Sequence, residues 1–286
     1  MPLPQQQPPT VRHLDRMAWL AAWGAAALIT YAFGWLLLDV VWRGAGELSW
    51  TLLTAEVSDA GRSGGVMPMI VSTVLVLMTC VAISLPLGIA AAVTLAELAP
   101  KNGWPTRIAR RLLDVLAGTP SIVFGLFGNQ LFCETLGLGY CVLSGGLTLA
   151  CMVLPILIRI SEEAFRSVPQ EYRLGAAALG MSRTASLASI LLPAAAPAIG
   201  AGIVLGVGRA LAETAALLFT AGYDTRLPQS LLHSGRVLSV HIHELAMNIP
   251  GGDRRAYATA LILMALLLVM NTVATQLARF AVRQTR

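Results

Sequence analysis

The chain has 286 residues, 56% of them apolar and only 12% charged, with a formal net charge of +5. Soluble globular domains carry roughly one-quarter charged residues, so the composition excludes an ordinary soluble enzyme and points to a membrane protein. No basic–aromatic pattern accompanies the positive charge, so no nucleic-acid partner is expected and the charge is informative by its position along the chain.

A bilayer core of roughly 30 Å needs about 20 apolar residues per helix. Six runs meet that need, at about 17–41, 66–95, 118–135, 143–161, 187–220 and 256–280. Residues 1–16 begin MPLPQQQPPT, a Pro/Gln-rich stretch read as a disordered cytoplasmic tail. The run after Arg16 is too long for a signal-peptide core and stays as the first span; with its polar, Gly-rich outer loop it makes a unit at 17–64. Residues 65–286 form the main membrane domain. Pro86, and Pro193 with Pro197, fall in the two longest runs and predict kinks or a helix outside the core.

Between spans two and three, Ile108, Leu112, Leu113 and Leu116 recur at helical spacing with arginines opposite. This predicts a basic amphipathic helix on the cytoplasmic surface. Span three opens Gly118-Thr119-Pro120-Ser121, where a proline between two hydroxyl residues suggests a broken start, and Asn129 and Gln130 follow at membrane depth. Polar groups there either bridge helices or line a polar path. Span four carries Pro155 and ends at Arg159, with Glu162 and Glu163 at spacings that would satisfy it.

Cys133 and Cys141 flank a short outer loop, and either form a disulfide or remain as two unpaired thiols at span ends; Cys80 and Cys151 are read as buried thiols. In span five, Arg209 and Glu213 stand four apart in an apolar run. They are expected to share one helical face, either as a mutual salt bridge or with Glu213 orienting Arg209 toward an anion in a water-filled path. The outer loop 222–255 contains His233, His241, His243 and Glu244; His-x-His alone is a weak metal signal, and packing or surface contact is the reading taken.

With the N-terminus inside, thirteen basic residues fall in inside segments: Arg12, Arg16, Lys101, Arg107, Arg110, Arg111, Arg159, Arg166, Arg173, Arg183, Arg279, Arg283 and Arg286. Six fall outside: Arg43, Arg62, Arg226, Arg236, Arg254 and Arg255. The positive-inside rule therefore places both termini and the 162–185 loop in the cytoplasm, with a bacterial inner membrane the simplest location. No GxxxxGKS/T, GxSxG, HExxH or metal-spaced cysteine set occurs, so no ATPase, hydrolase or metal site is expected in this chain.

The cytoplasmic stretch EEAFRSVPQEYRLGAAALGMSRTASLASILLP, Glu162 to Pro193, is long, helical in pattern and rich in small residues. It resembles the coupling-helix loop of ABC importer permeases, whose pattern is Glu-Ala-Ala, three residues, Gly, nine residues, Ile-x-Leu-Pro. Gly180, Ile190, Leu192, Pro193 and Ala176 match, while Leu174 stands at the glutamate position and Gly175 at one alanine. GTPSIVFGLF at 118–127, PLGIAAAVTLAE at 86–97, GRALAETAALLFTAG at 208–222 and LSVHIHELA at 238–246 are similar to the phosphate importer permeases of the PstA type. In the third of these, Ala212 and Ala216 replace the usual Gly and Pro.

The resemblance implies an all-α integral membrane fold, a type-I importer permease with about six spans and a cytoplasmic coupling helix. It implies a non-enzymatic subunit with no cofactor of its own. ATP would be bound by a partner ATPase dimer, alongside a PstC-type sister permease and a periplasmic phosphate-binding protein, in contact with membrane lipid. Arg209, Glu213, Thr214, Thr119, Ser121 and Asn129 become candidates for the translocation path. Glu171, Arg173, Leu174, Gly175, Ala176, Gly180 and Ser182 become candidates for ATPase coupling, with Glu171 or Arg173 standing in for the missing glutamate. The same class admits sulfate or molybdate as cargo; a stand-alone secondary carrier is the alternative from another class.

Overall fold

The computed structural model describes residues 9–100 and 103–283. Helix α1 (Pro9–Ala45) already begins within the stretch expected as a tail, whose first eight residues lie outside the described ones, as does Lys101. It runs beside the last helix, where the Gly44 backbone approaches so closely that a Cβ would sit 2.7 Å from the Tyr257 carbonyl oxygen. Along 17–42 its large side chains, among them Trp19, Trp23, Phe33 and Trp35, are exposed, as suits a helix whose solvent is lipid.

The outer loop folds into α2 (Trp50–Thr54), capped by Ser49 Oγ accepting from Leu52 N, and a two-stranded hairpin of β1 (Val57–Ser58) and β2 (Ser63–Gly64). Next comes α3 (Met67–Val93), which continues through Pro86 and closes in a π-helical turn, Thr94–Leu98. Helix α4 (Trp104–Ala117) is the expected amphipathic surface helix, and α5 (Ser121–Gly128) extends it inward through a π turn, Asn129–Thr135, at a bend of 101°. Pro120 causes the break, since it has no N–H to give and disfavours helix at the residue before it.

Helix α6 (Val142–Ser167) is the central span. It is followed by α7 (Gln170–Ala178), α8 (Arg183–Ser186), a π turn Leu187–Leu191 and α9 (Leu192–Leu211). The short α10 (Ala215–Leu218), α11 (Leu238–Met247) and α12 (Asp253–Arg283) complete the chain. Among the described residues, five helices are long and apolar enough to cross a membrane, and the bent α4–α5 pair supplies a sixth. The fold is that of an all-α membrane protein.

The core follows from small residues placed where helices touch. At Gly146 on α6 a Cβ would lie 2.5 Å from Thr79 Cβ on α3, so only glycine permits this approach. Val76, Leu77, Leu149, Met152, Val153, Val207 and Leu217 fill the space between α3, α6, α9 and α10. A second cluster around Phe165, Val168 and Leu191 packs the cytoplasmic end. A third, with Leu52, Met69 and Leu238, packs the outer one.

Ionic contacts fasten the rim beside α4 and α7. Glu162, expected to satisfy Arg159, instead pairs with Arg110 of α4 at 2.8 Å and with Arg166 at 3.0 Å, while Arg159 reaches Asp114 of α4 at 2.6 Å. The amphipathic α4 presents its charges to α6, so Glu162 is shared between Arg110 of α4 and Arg166 of its own helix, and Arg159 pairs across to α4.

At the outer end His241 is fully buried, with both ring nitrogens lacking hydrogen-bond partners and its ring pressed on Gly61. Burial, aided by nearby Arg236, pushes its pKa down to about 4. A base depressed in the folded state keeps its stabilising effect above its unfolded value of about 6.5 and loses it as pH falls toward 4. Thermal unfolding of the detergent-solubilised protein should therefore show Tm falling between pH 6.5 and 4, with a smaller slope in His241→Leu. Equal slopes for the two proteins would show that His241 is not the group responsible.

Candidate functional site

Arg209 lies in the last turn of α9, which ends at Leu211. The expected continuous helix carrying Arg209 and Glu213 on one face is not formed. The chain leaves the helix at Ala212, and Glu213 lies beyond it. The break is stabilised by tertiary packing: α10 tucks against Gly125 of α5, where a Cβ would lie 2.9 Å from Ala216 Cα.

The freed backbone groups find partners locally. Glu213 Oε1 accepts from Ala216 N at 3.3 Å, and the Glu213 carbonyl accepts from Ser239 Oγ at 2.7 Å. No ion pair joins Arg209 to Glu213 among the described residues. The mutual salt bridge is therefore replaced by a guanidinium with no carboxylate partner and a carboxylate that caps the next helical turn.

Both residues line one open groove of about 650 Å³, together with Ile156, Val204, Leu205, Gly208, Ala212, Leu267 and Asn271. Asn271 is a residue that sequence reasoning missed, although a carboxamide in the middle of the apolar run of α12 was a usable signal. Its Oδ1 is buried and has no partner. A Cβ on Gly208 would approach its amide atoms to 3.8 Å, which places that amide beside the residue preceding Arg209.

The other path candidates are dispersed. Thr214 sits in the break before α10, Ser121 opens α5, and Thr119 donates back to Val115 O at 2.9 Å at the α4–α5 bend. Asn129 starts the π turn after α5, with Oδ1 buried and unpartnered. None of these four lines the Arg209 groove.

The outer cysteines are free thiols and both are buried. Cys141 caps α6, its sulfur accepting from Ser144 N at 3.4 Å, and the Cys133 thiol points at Thr220 O at 3.9 Å. The thiols are thus committed to separate local contacts and no disulfide joins them.

At the end of the bundle that was expected to face the cytoplasm, α7 is a nine-residue helix started by Pro169. It closes with Met181 N donating to Ala176 O at 3.0 Å and Gly180 N to Ala177 O at 3.0 Å, and Gly180 takes φ +69°, the left-handed conformation that favours glycine. Ser182 then caps α8 through Ala185 N at 3.2 Å. Ala176 is buried, whereas Glu171, Leu174 and Gly175 face outward, Leu174 at 62% exposure.

Arg173, expected as an outward contact for an ATPase, turns inward. It forks onto Glu97 at 2.5 and 3.1 Å and donates to the Phe165 and Val168 carbonyls at 2.7 Å each. The Glu97 hydrogen bond raises the arginine pKa above its ordinary value. Beneath α7 a cavity of about 260 Å³ opens between Glu97, Arg173, Arg183, Met181 and Leu191.

The bundle thus carries a short glycine-closed helix at one end and an arginine at a helix break, without an ion-pair partner among the described residues. The chain matches the family described as binding-protein-dependent transport system inner membrane component over residues 84–286, and it belongs to that family. It is 33% identical over 264 residues to the probable ABC transporter permease protein YqgI of Bacillus subtilis, covering 87% of this chain and 88% of that one. It is 32% identical over 259 residues to the phosphate transport system permease protein PstA 1 of Mycobacterium tuberculosis, covering 88% and 83%. A bacterial alginate ABC transporter, solved with a periplasmic protein bound to alginate pentasaccharide, shares the fold with a TM-score of 0.67 at 14% identity, over 95% of this chain and 97% of that one.

At Gly180 nothing lies within 4 Å of where a Cβ would be, so the constraint there is backbone conformation alone. Gly180→Val should lose about 1–2 kcal/mol of local stability, seen as faster proteolytic cleavage of the 178–182 segment, whereas Gly180→Asn should remain close to the parent. Equal cleavage of both variants would place the constraint elsewhere.

Proposed function

We propose that this chain is the PstA-type membrane subunit of an ATP-driven importer of inorganic phosphate. Its partners are a PstC-type sister permease, a pair of cytoplasmic ATPase subunits and a phosphate-binding protein on the outer side. The chain lies in a bacterial inner membrane with both termini in the cytoplasm, and ATP is bound by the partner subunits.

The observation that carries the reading is Arg209: a guanidinium in a groove, at the end of a membrane helix, with no carboxylate to neutralise it. An arginine within a span costs about 2.5–3.5 kcal/mol on insertion scales. A structural role is met most cheaply by a salt bridge, which this one lacks. An anion crossing the membrane needs charge-assisted donors, and guanidinium–phosphate hydrogen bonds are of the strong kind. Asn271 lines the same groove and supplies a neutral carboxamide donor beside that charge.

The chemistry also explains why one arginine is enough. A transport site has to release what it binds, so weak binding here goes with selectivity in the docked binding protein. ATP binding closes the motor pair, the loop around 166–183 carries the displacement into the bundle, and the groove changes its access from one side to the other. Such a switch needs two packed arrangements whose balance nucleotide shifts.

Uptake of radiolabelled phosphate into proteoliposomes holding all four kinds of subunit tests this. Uptake should require every component, withstand excess sulfate and molybdate, and fall about tenfold or more in Arg209→Ala, the scale expected for losing a hydrogen bond to a charged group, while the complex still assembles. Competition by sulfate or molybdate would change the cargo, uptake without the ATPase would overturn the mechanism, and normal uptake by Arg209→Ala would remove Arg209 from the path.

A further inference from the structure

The π turn Thr94–Leu98 at the cytoplasmic end of α3 is the meeting point of two arginines from two different surface helices. Arg173 of α7 forks onto Glu97, and Arg110 of α4 donates to the Leu95 carbonyl at 3.3 Å. Arg173 also holds the Phe165 and Val168 carbonyls at the end of α6, so one side chain joins α7 to the ends of both α3 and α6. The side chains at Glu97 and Arg173 are 17% and 28% exposed, which shields the pair from solvent screening. A bidentate guanidinium–carboxylate contact fixes direction as well as distance. An α-helical terminus would place the carboxylate differently. The wider π turn, a feature that recurs at functional positions, is what swings Glu97 toward α7.

Apart from this clamp, α7 is weakly attached. Only Ala176 among its residues is fully buried, a loose cavity lies beneath it, and its other long side chains point outward. Without the clamp, a displacement of α7 would be absorbed by the cavity. With it, α7 and the ends of α3 and α6 move as one body. Helix α3 packs along the full core and lines the apolar face shared with α9 and α12, so its cytoplasmic end is a direct handle on the bundle.

We propose that the Arg173–Glu97 clamp is the strut through which motion of the ATPase-facing helix α7 is delivered to α3 and α6, with Arg173 and Glu97 acting as positioning residues that stay joined through the transport cycle. The proposal rests on the reading of α7 as the motor-docking helix, and it holds for any cargo.

The test uses the complete complex carrying Leu98→Cys, an exposed position adjoining the clamp. The rate of maleimide labelling is measured before and after the ATPase is trapped with ATP and vanadate. Trapping should change the rate with the clamp intact. In Glu97→Gln, which keeps size but removes charge, the response should shrink by about fivefold or more, the lower end of typical coupling between sites, while the ATPase still co-purifies. Glu97→Asp, which retains a carboxylate, should keep more of the response than Glu97→Gln.

A bifunctional thiol reagent joining Glu97→Cys to Arg173→Cys should leave uptake coupled to hydrolysis. A full trapping response in Glu97→Gln overturns the strut, as does a parent complex whose labelling ignores trapping, or a 97–173 cross-link that stops uptake while hydrolysis continues. Phosphate uptake by the same preparations separates the two readings: an intact labelling response without phosphate uptake sinks the cargo assignment and leaves the strut standing.

Discussion

The rim of this bundle beside α4 and α7 is organised by arginine. Arg110 and Arg166 converge on Glu162, Arg159 takes Asp114, and Arg173 takes Glu97. Each cross-helix pair joins a surface element to the end of a span. The apolar spans have no polar means of fixing their own ends, because a helix in hydrocarbon satisfies its backbone internally and gains little from burying side chains against neighbours that are no more apolar than lipid. Glu162 shows the energetic constraint most clearly. A carboxylate that is 6% exposed is tolerated only with its charge compensated, and two guanidinium groups supply that. Remove the rim and α4 becomes an ordinary amphipathic helix lying on the membrane, and α7 a helix with one buried side chain.

Where the arginines are fully paired the structure is fixed, and where one is unpaired it is chemically available. Arg209 differs from the rim arginines in having no ion-pair partner among the described residues and in lining a groove. The break after Leu211 creates the difference: Glu213, which an unbroken helix would hold within reach of Arg209, is pulled away to cap α10. The break exposes backbone groups that hydrocarbon does not tolerate, and they are satisfied by the Glu213 carboxylate and by Ser239 from α11. Irregular backbone at membrane depth is found where protein or a water-filled cavity surrounds it, and here it borders the groove.

Much of the architecture was legible because it depends on period and punctuation. The apolar runs mark the spans, the arginine-backed stripe of Ile108, Leu112 and Leu116 marks α4, and the spacing of Gly180 to Pro193 marks the end of α7, where Gly180 takes φ +69°. What could not be read was decided by tertiary contacts. Nothing local distinguishes Leu211-Ala212-Glu213 from a continuing helix; α10 leaves the axis because Gly125 offers it a docking face. Arg173 has the sequence context of a surface residue, and its inward turn depends on Glu97, 76 positions away. The cysteines looked available for pairing, yet Ser144 and Thr220 occupy their sulfurs. Asn271 was visible as a carboxamide in an apolar run but gained meaning only when α12 was placed against Gly208.

The exposed Leu174 follows from the same geometry. In the family pattern its position carries a glutamate, and α7 without one presents an apolar side chain at the place where a charge would project. Of the two charges on this helix, Glu171 faces outward and Arg173 is spent inward. An outward arginine would forgo the link between α7 and the spans. A transporter needs both docking and transmission, and only the second depends on a residue that reaches three elements at once. Transmission requires direction, which the guanidinium fork provides.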